Sequence, residues 1–474
     1  MSLRDAFAPV DPARPCARFP WREVAVLAAL VVLSLPLVTT RIYASDEVAY
    51  SSYLRSLLKD GDLDFLNEYQ HYAPRDPAKH AEWQAWLETT RTRTGLWRNV
   101  NPAGSSLLWA PAYLAVDGWL ALVGSPARTG YERPYVRAIC YSSVAYGAVG
   151  LLLLYGWMRG RARRFTATVV AAALWLGTNL FFYVYVTPPM SHANSFFLST
   201  AVVVLWERTR ERRSLGQWLG LGALSGLTAM VREQDALLML LPGIDAALAL
   251  GAAIRAGDRR GALRTVGLGL AALAAFAVVF APQIACYRVL DGTFGPHQEA
   301  TRKLMWTSPA VFGLLFSGWH GFFSWSPLAF PGLVGLVWLA RRDPRLALPL
   351  LAYFALQVWT SSAYASWEAG ASFGARRLIA TLPVLAVGWV YLAERLVTER
   401  RWAKPALVGA LALGTLWNVE LIVQYATGMI SRADPVPMSV IARNQVVEVP
   451  PKLIGLLTDY LTNRSRFYST NSPP

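Results

Sequence analysis

The stretch VAVLAALVVLSLPLVTTRIYASDEVAYSSYL, residues 24–54, decides how this chain is read. It opens as an uncharged apolar run, then sets Asp46 and Glu47 side by side ahead of a patterned segment. A membrane span needs roughly 20 apolar residues, so 23–40 reads as the first span. Arg18 and Arg22 precede it, but TTRIYASDE offers no convincing cleavage site, and the run reads as a retained signal-anchor helix. Beyond it, Tyr50, Tyr53, Leu54, Leu57 and Leu58 recur at the spacing of one helical face, and Gly61 ends the pattern. Ser45 suits an N-cap, and acids are favoured in a first helical turn. The acidic pair is therefore either an ordinary helix start or a reaction centre at the membrane surface. The rest of the chain has to separate the two.

Composition narrows the class. Of 474 residues, 54% are hydrophobic and 16% charged, against roughly 25% charged in soluble domains. A net charge of +15 raises nucleic acid as a partner. The arginines fall in short clusters between apolar segments, however, which is the positive-inside pattern of membrane proteins, and nucleic acid is set aside. Cys16, Cys140 and Cys286 form no CxxC pair and no even framework.

Eleven apolar segments read as spans: 23–40, 135–157, 165–186, 193–207, 215–231, 236–254, 264–287, 326–340, 346–363, 378–394 and 404–425. With that count the clusters RGRARR (159–164), ERTRERR (207–213), RAGDRRGALR (255–264), RRDPR (341–345) and ERLVTERRWAK (394–404) share one side with the segment 1–22, the cytoplasmic side. The segment 107–124 is apolar enough to span, but a span there would invert every later cluster. It holds Pro111 and Asp117 and reads as an interfacial or re-entrant piece. The expected architecture is all-α and polytopic, with about 11 transmembrane helices in a domain over 23–425. An outer loop at 41–134 carries amphipathic surface helices, and a short outer-face tail follows at 426–474. No internal repeat is visible, and the two halves do not look alike, which weighs against a transporter.

The outer face gathers a different chemistry. Beside Asp46 and Glu47 lie the turn NPAGSSLLWAP (101–111), Arg232 with Glu233 and Asp235, and Lys303. His320 stands in SGWHGFFSWSP, and Glu368, Arg376 and Arg377 in SWEAGASFGARR. His192 closes the turn TPPMSH. Ionisable groups at the depth of span ends are costly and usually functional. Acids on one loop and Arg and His on others suit a substrate with an anionic leaving group. Each residue also has an ordinary reading: Arg376 and Arg377 as interface anchors, Arg232 as a partner of Glu233 or Asp235, and His192 and His320 as structural histidines. No histidine spacing marks a metal site. No cofactor is certain, and a divalent cation on Asp46 or Glu47 stays open.

With SDEVAYSSYLRSL after the first span, and with HGFFSWSPL and SFGARRLIATLP in later outer loops, the chain resembles the GT-C superfamily of integral-membrane glycosyltransferases. It is similar in pattern to the lipid A aminoarabinose transferase and to bacterial members like the protein O-mannosyltransferases. The resemblance covers roughly residues 20–425. The tail 426–474 departs from larger members, being short for a soluble acceptor-recognition domain. The resemblance implies transfer of a monosaccharide from a polyprenyl-phosphate donor, a membrane lipid, to a hydroxyl of a glycan, lipid or protein acceptor. The place would be the outer face of a bacterial inner membrane, towards the periplasm or cell exterior. Within it, Asp46 is the expected general base with Glu47 beside it. Arg232, Lys303, His320, Arg376 and Arg377 are the expected holders of the donor phosphate, with His192 and Glu368 as further candidates. The competing reading is a lipid-linked sugar flippase or exporter, which shares an Arg-lined cavity but does not need Asp46.

Overall fold

The computed structural model describes residues 20–74, 77–297 and 301–465. Residues 1–19, with Cys16 and most of the expected cytoplasmic segment, lie outside that range, as do 466–474 of the tail. The chain is an all-α polytopic membrane protein. No strand forms among the described residues; β-pairing there is limited to isolated bridge residues, Arg91 with Trp97 among them. Each of the eleven expected spans overlaps helix, some of them only in part. Five helices are long and apolar enough to cross a membrane: Arg133–Arg159, Glu233–Arg255, Arg259–Asp291, Arg376–Glu399 and Ala403–Ala426. Arg164–Leu176, Leu215–Val231 and Pro327–Leu339 are shorter apolar helices. The expected spans 23–40, 193–207 and 346–363 fall on Trp21–Ser34, His192–Thr209 and Pro344–Ser362.

The residues group into two compact units. The first comprises Met1–Leu37, Ala148–Val186 and Met305–Pro474. In it the expected span 165–186 is not continuous. Its helix stops at Leu176, and a five-residue π-turn follows at Phe182–Val186. Broken backbone at membrane depth is tolerated only where protein satisfies it. Here Asn418 Nδ2 donates to the carbonyls of Leu176 (2.7 Å) and Thr178 (3.0 Å), and Ser326 Oγ accepts from the Asn179 N–H (2.9 Å). The tail is ordered as the helices Met438–Arg443 and Pro450–Thr462. It is tied to Ala403–Ala426 by Gln424 Nε2 donating to the Ile441 carbonyl and Gln445 Nε2 to that of Trp417.

The second unit comprises Val38–Gly147 and Thr187–Leu304. The helix after the acidic pair runs Ser45–Arg55, with Ala44 rather than Ser45 at its cap. It is embedded in the unit rather than laid on a surface. Tyr50, Tyr53 and Leu54 are buried, and so are Glu47, Ser51 and Ser52 on its other sides. The Ser51 and Ser52 hydroxyls are satisfied by carbonyls one turn back, which lets that polar face be covered. Of the apolar stripe only Leu57 and Leu58, beyond the helix, open outward before Gly61 turns the chain at φ 75°.

The segment expected at 107–124 forms one helix, Gly104–Leu122, continuous through Pro111. Its Asp117 carboxylate pairs with Lys59 and Arg128 and accepts from the Tyr135 hydroxyl. The half-buried charge is thereby neutralised within the second unit. The helix begins against the backbone of Met230 and Val231, so close that any Cβ on Gly104 would collide with it. That contact fixes the 101–104 turn beside the end of Leu215–Val231.

Candidate active site

The candidate residues fall into two clusters, one in each unit. In the second unit the acidic pair divides its labour. Glu47 is fully buried, and its Oε2 accepts from the backbone N–H groups of Tyr43 (3.0 Å) and Ala44 (3.2 Å). It reaches back over the helix start as the acid of a capping box does. Burial dominates its titration and pushes it up to about 7, against the lowering by those two N–H groups and Arg41. Asp46, the neighbouring residue, is half-buried and faces Asn101, whose Nδ2 lies 3.4 Å from Oδ1. Asp46 is thus the more accessible of the two acids.

Tyr50 lies one helical turn beyond Asp46. Its hydroxyl accepts from Ser191 Oγ (3.0 Å), and Ser191 Oγ in turn accepts from Arg232 Nη1 (3.3 Å). The same Nη1 lies 3.1 Å from His192 Nδ1. A guanidinium only donates, so Nδ1 is the acceptor and the proton of the neutral ring sits on Nε2. Arg232 does not pair with either neighbouring acid. Glu233 takes the Tyr287 hydroxyl, and Asp235 Oδ2 takes Ser195 Oγ at 2.6 Å. Among the described residues Arg232 has no carboxylate partner, and it uses one of its nitrogens on side chains. The result is a half-buried guanidinium with Nε and Nη2 left to offer, the fork that matches phosphate oxygens.

In the first unit, His320 and Glu368 do meet, but through the backbone. His320 Nδ1 lies 3.1 Å from the Glu368 carbonyl, which can only accept, so the ring proton is on Nδ1. Burial holds the imidazole down at about 4, with Arg376 adding to that, so the ring is neutral near pH 7. This does not support His320 as a cation on the donor phosphate. Arg377 is engaged as well: Nη1 donates to the Ser366 carbonyl (2.8 Å), and its guanidinium lies 4.4 Å from the centre of the Tyr364 ring. It fastens the 364–368 segment. Arg376 makes a longer contact, 3.5 Å to the Ala369 carbonyl. Lys303 is exposed on a turn of the second unit.

Among the described residues no three His, Cys, Asp or Glu side chains gather as a metal site. The participants that sequence reasoning missed are Ser191, visible only as part of the TPPMSH turn, and Tyr50, read there as apolar stripe alone.

The sequence matches no protein-family model and no curated relative. Among solved structures, ArnT from Cupriavidus metallidurans, the lipid A aminoarabinose transferase, matches in its undecaprenyl phosphate-bound form. The TM-score is 0.53 and the identity 16%, over 96% of this chain and 73% of that one. The apo form of the same protein matches with TM-score 0.52 and 15% identity, over 95% of this chain and 72% of that one. What likeness at this identity shows is architecture: the chain shares the fold of ArnT.

Proposed function

We propose that the protein is a glycosyltransferase that moves a sugar from a polyprenyl-phosphate donor to an acceptor hydroxyl, with Asp46 as general base. The observation that carries this reading is Arg232. It is a half-buried guanidinium without a carboxylate partner among the described residues, joined through Ser191 and Tyr50 to the helix that bears Asp46. A cation left unpaired at that depth is costly unless an anion comes to it. The fold supports the same reading, since ArnT was solved with undecaprenyl phosphate bound.

The chemistry follows from the groups present. The acceptor hydroxyl gives its proton to the Asp46 carboxylate as its oxygen bonds the anomeric carbon of the sugar. The bond from that carbon to the phosphate oxygen breaks, and its electron pair leaves on the polyprenyl phosphate. Arg232 stabilises that oxyanion through charge-assisted hydrogen bonds. Because the leaving group is already a phosphate, no nucleotide-binding loop is required. Arg376 is a second phosphate candidate, to be tested separately. The outer face of a bacterial inner membrane remains the proposed setting. The decisive assay is transfer of labelled sugar from a polyprenyl-phosphate donor in liposomes. Wild-type activity that survives Asp46→Asn would refute the assignment.

A further inference from the structure

Two loops of the first unit, 317–321 and 364–370, stand apart from the rest of the chain. Among the described residues only two non-glycine residues adopt positive φ: His320 (φ 60°) and Ala369 (φ 63°), one in each loop. They are tied together, because His320 Nδ1–H donates to the carbonyl just before Ala369. Left-handed backbone in residues other than glycine costs of order 1–3 kcal/mol and persists only where its surroundings over-determine it.

The surroundings here do so. The Trp319 N–H donates to Ser317 Oγ (2.9 Å), the Gly321 N–H to the Ser317 carbonyl (3.0 Å), and Trp325 Nε1 to the Gly318 carbonyl (2.9 Å). Gly318 lies so close to the Val436 carbonyl that a Cβ would overlap it, so the tail clamps the loop from outside.

This held strain presents two polar atoms with nothing to bond. His320 is 1% exposed, and its Nε2 has no hydrogen-bond partner among the described residues. The indole Nε1 of Trp319, the preceding residue, is likewise buried and unpartnered. One is an acceptor, since the ring proton sits on Nδ1; the other is a donor only. Trp367 stands edge-on to Trp319, ring centres 5.7 Å apart, and Trp325 edge-on to His320 at 5.0 Å. A neutral acceptor, a neutral donor and apolar ring surface suit a group that donates and accepts at once without charge, which is an alcohol. They do not suit phosphate, whose oxygens a lone-pair nitrogen repels.

We propose that the 317–321 and 364–370 loops form a hydroxyl-reading subsite that binds a neutral saccharide, with His320 Nε2 accepting from one sugar hydroxyl and Trp319 Nε1 donating to one. The assignment rests on the glycosyltransferase reading for its substrate class, and the two can be tested apart.

The probes are undecaprenyl phosphate and a set of undecaprenyl-phosphate monosaccharides carrying glucose, galactose, mannose or N-acetylglucosamine. Their affinity is measured for the full chain in nanodiscs. Wild type binds at least one sugar-bearing lipid more tightly than the bare lipid phosphate. His320→Asn keeps a residue that tolerates left-handed backbone, and Trp319→Phe keeps the ring surface. Each reduces that preference by roughly tenfold, the scale of a buried group left without its partner, and leaves bare-lipid affinity unchanged. The proposal is overturned if wild type shows no preference for any sugar, if both variants retain it, or if they weaken bare and sugar-bearing lipid alike. Arg232→Ala separates the readings. It weakens both lipid classes together if the phosphate assignment holds, and its failure to do so strikes the proposed function while leaving a sugar preference intact.

Discussion

The two clusters solve opposite problems. Around Asp46 and Arg232 the groups are charged, sit at the ends of helices, and rest on ordinary backbone geometry. Around His320 the two unpartnered atoms belong to neutral side chains, sit on a loop held by strained backbone, and have Arg376 and Arg377 in the same cluster. Helix termini place charges cheaply, because orphaned backbone groups and the helix dipole help to solvate them. Loops can present a particular atom in a particular direction, at the cost of strain. The contrast sets the proposed charge handling at the one cluster against the proposed neutral recognition at the other.

The largest expected effect tests the charged side. Asp46→Asn is nearly isosteric and should cut sugar transfer by roughly two orders of magnitude or more. Donor affinity in the same preparation should stay near wild type. Equal loss of binding and transfer would make Asp46 a structural helix start and erase the contrast.

Next in size is Arg232. Its replacement by Ala should raise the donor dissociation constant by about 10- to 100-fold, corresponding to roughly 1.5–3 kcal/mol for hydrogen bonds to a charged group. Arg232→Lys should fall between, since it keeps the charge but loses the fork. Binding titrations against bare undecaprenyl phosphate read both.

Arg377 sharpens the other side of the comparison. Its guanidinium holds the Ser366 carbonyl, so Arg377→Ala should destabilise the protein by about 1–3 kcal/mol. Thermal unfolding should register this, with little change in donor affinity per folded molecule. A specific loss of affinity at unchanged stability would return Arg377 to the phosphate set.

The smallest effect concerns Glu47, and its pH dependence fixes the direction. Its folded-state titration lies near 7, against 4.5 for the free side chain. Between those values the folded protein holds the extra proton, so stability is fully present below the lower value and declines as pH rises through the upper. Glu47→Gln keeps an acceptor for the Tyr43 and Ala44 N–H groups without a charge. It should therefore flatten the stability profile between pH 4.5 and 7 while sparing transfer. A profile identical to wild type would show that Glu47 does not titrate in that window.

Much of the architecture was legible because apolar runs and arginine clusters speak directly about helices in a membrane. The break after Leu176 was not, because it depends on Asn418, more than 200 residues away, supplying hydrogen bonds to the freed carbonyls. The acidic pair was visible, with Asp46 already the expected base, but the backbone bonds that Glu47 makes over the helix start were not. A capping box is recognised by a Ser or Thr three residues before the acid, and here that position is Ala44. Arg232 was equally ambiguous. Only side-chain directions around its turn reveal that Glu233 and Asp235 serve Tyr287 and Ser195 instead. GWHG carries no mark of a left-handed histidine, since that conformation is imposed from outside the tetrapeptide.

The contact between Gly318 and the Val436 carbonyl alters the standing of the last stretch of the chain. In the sequence that stretch reads only as a short outer-face tail, short for a soluble acceptor-recognition domain. In the folded molecule it is a wedge: a proteolytic nick between Thr427 and Val436, or an affinity tag that pulls this segment away, would leave the main helices intact yet let His320 relax into ordinary backbone. A preparation that looks well folded by helicity would then have lost the proposed sugar preference.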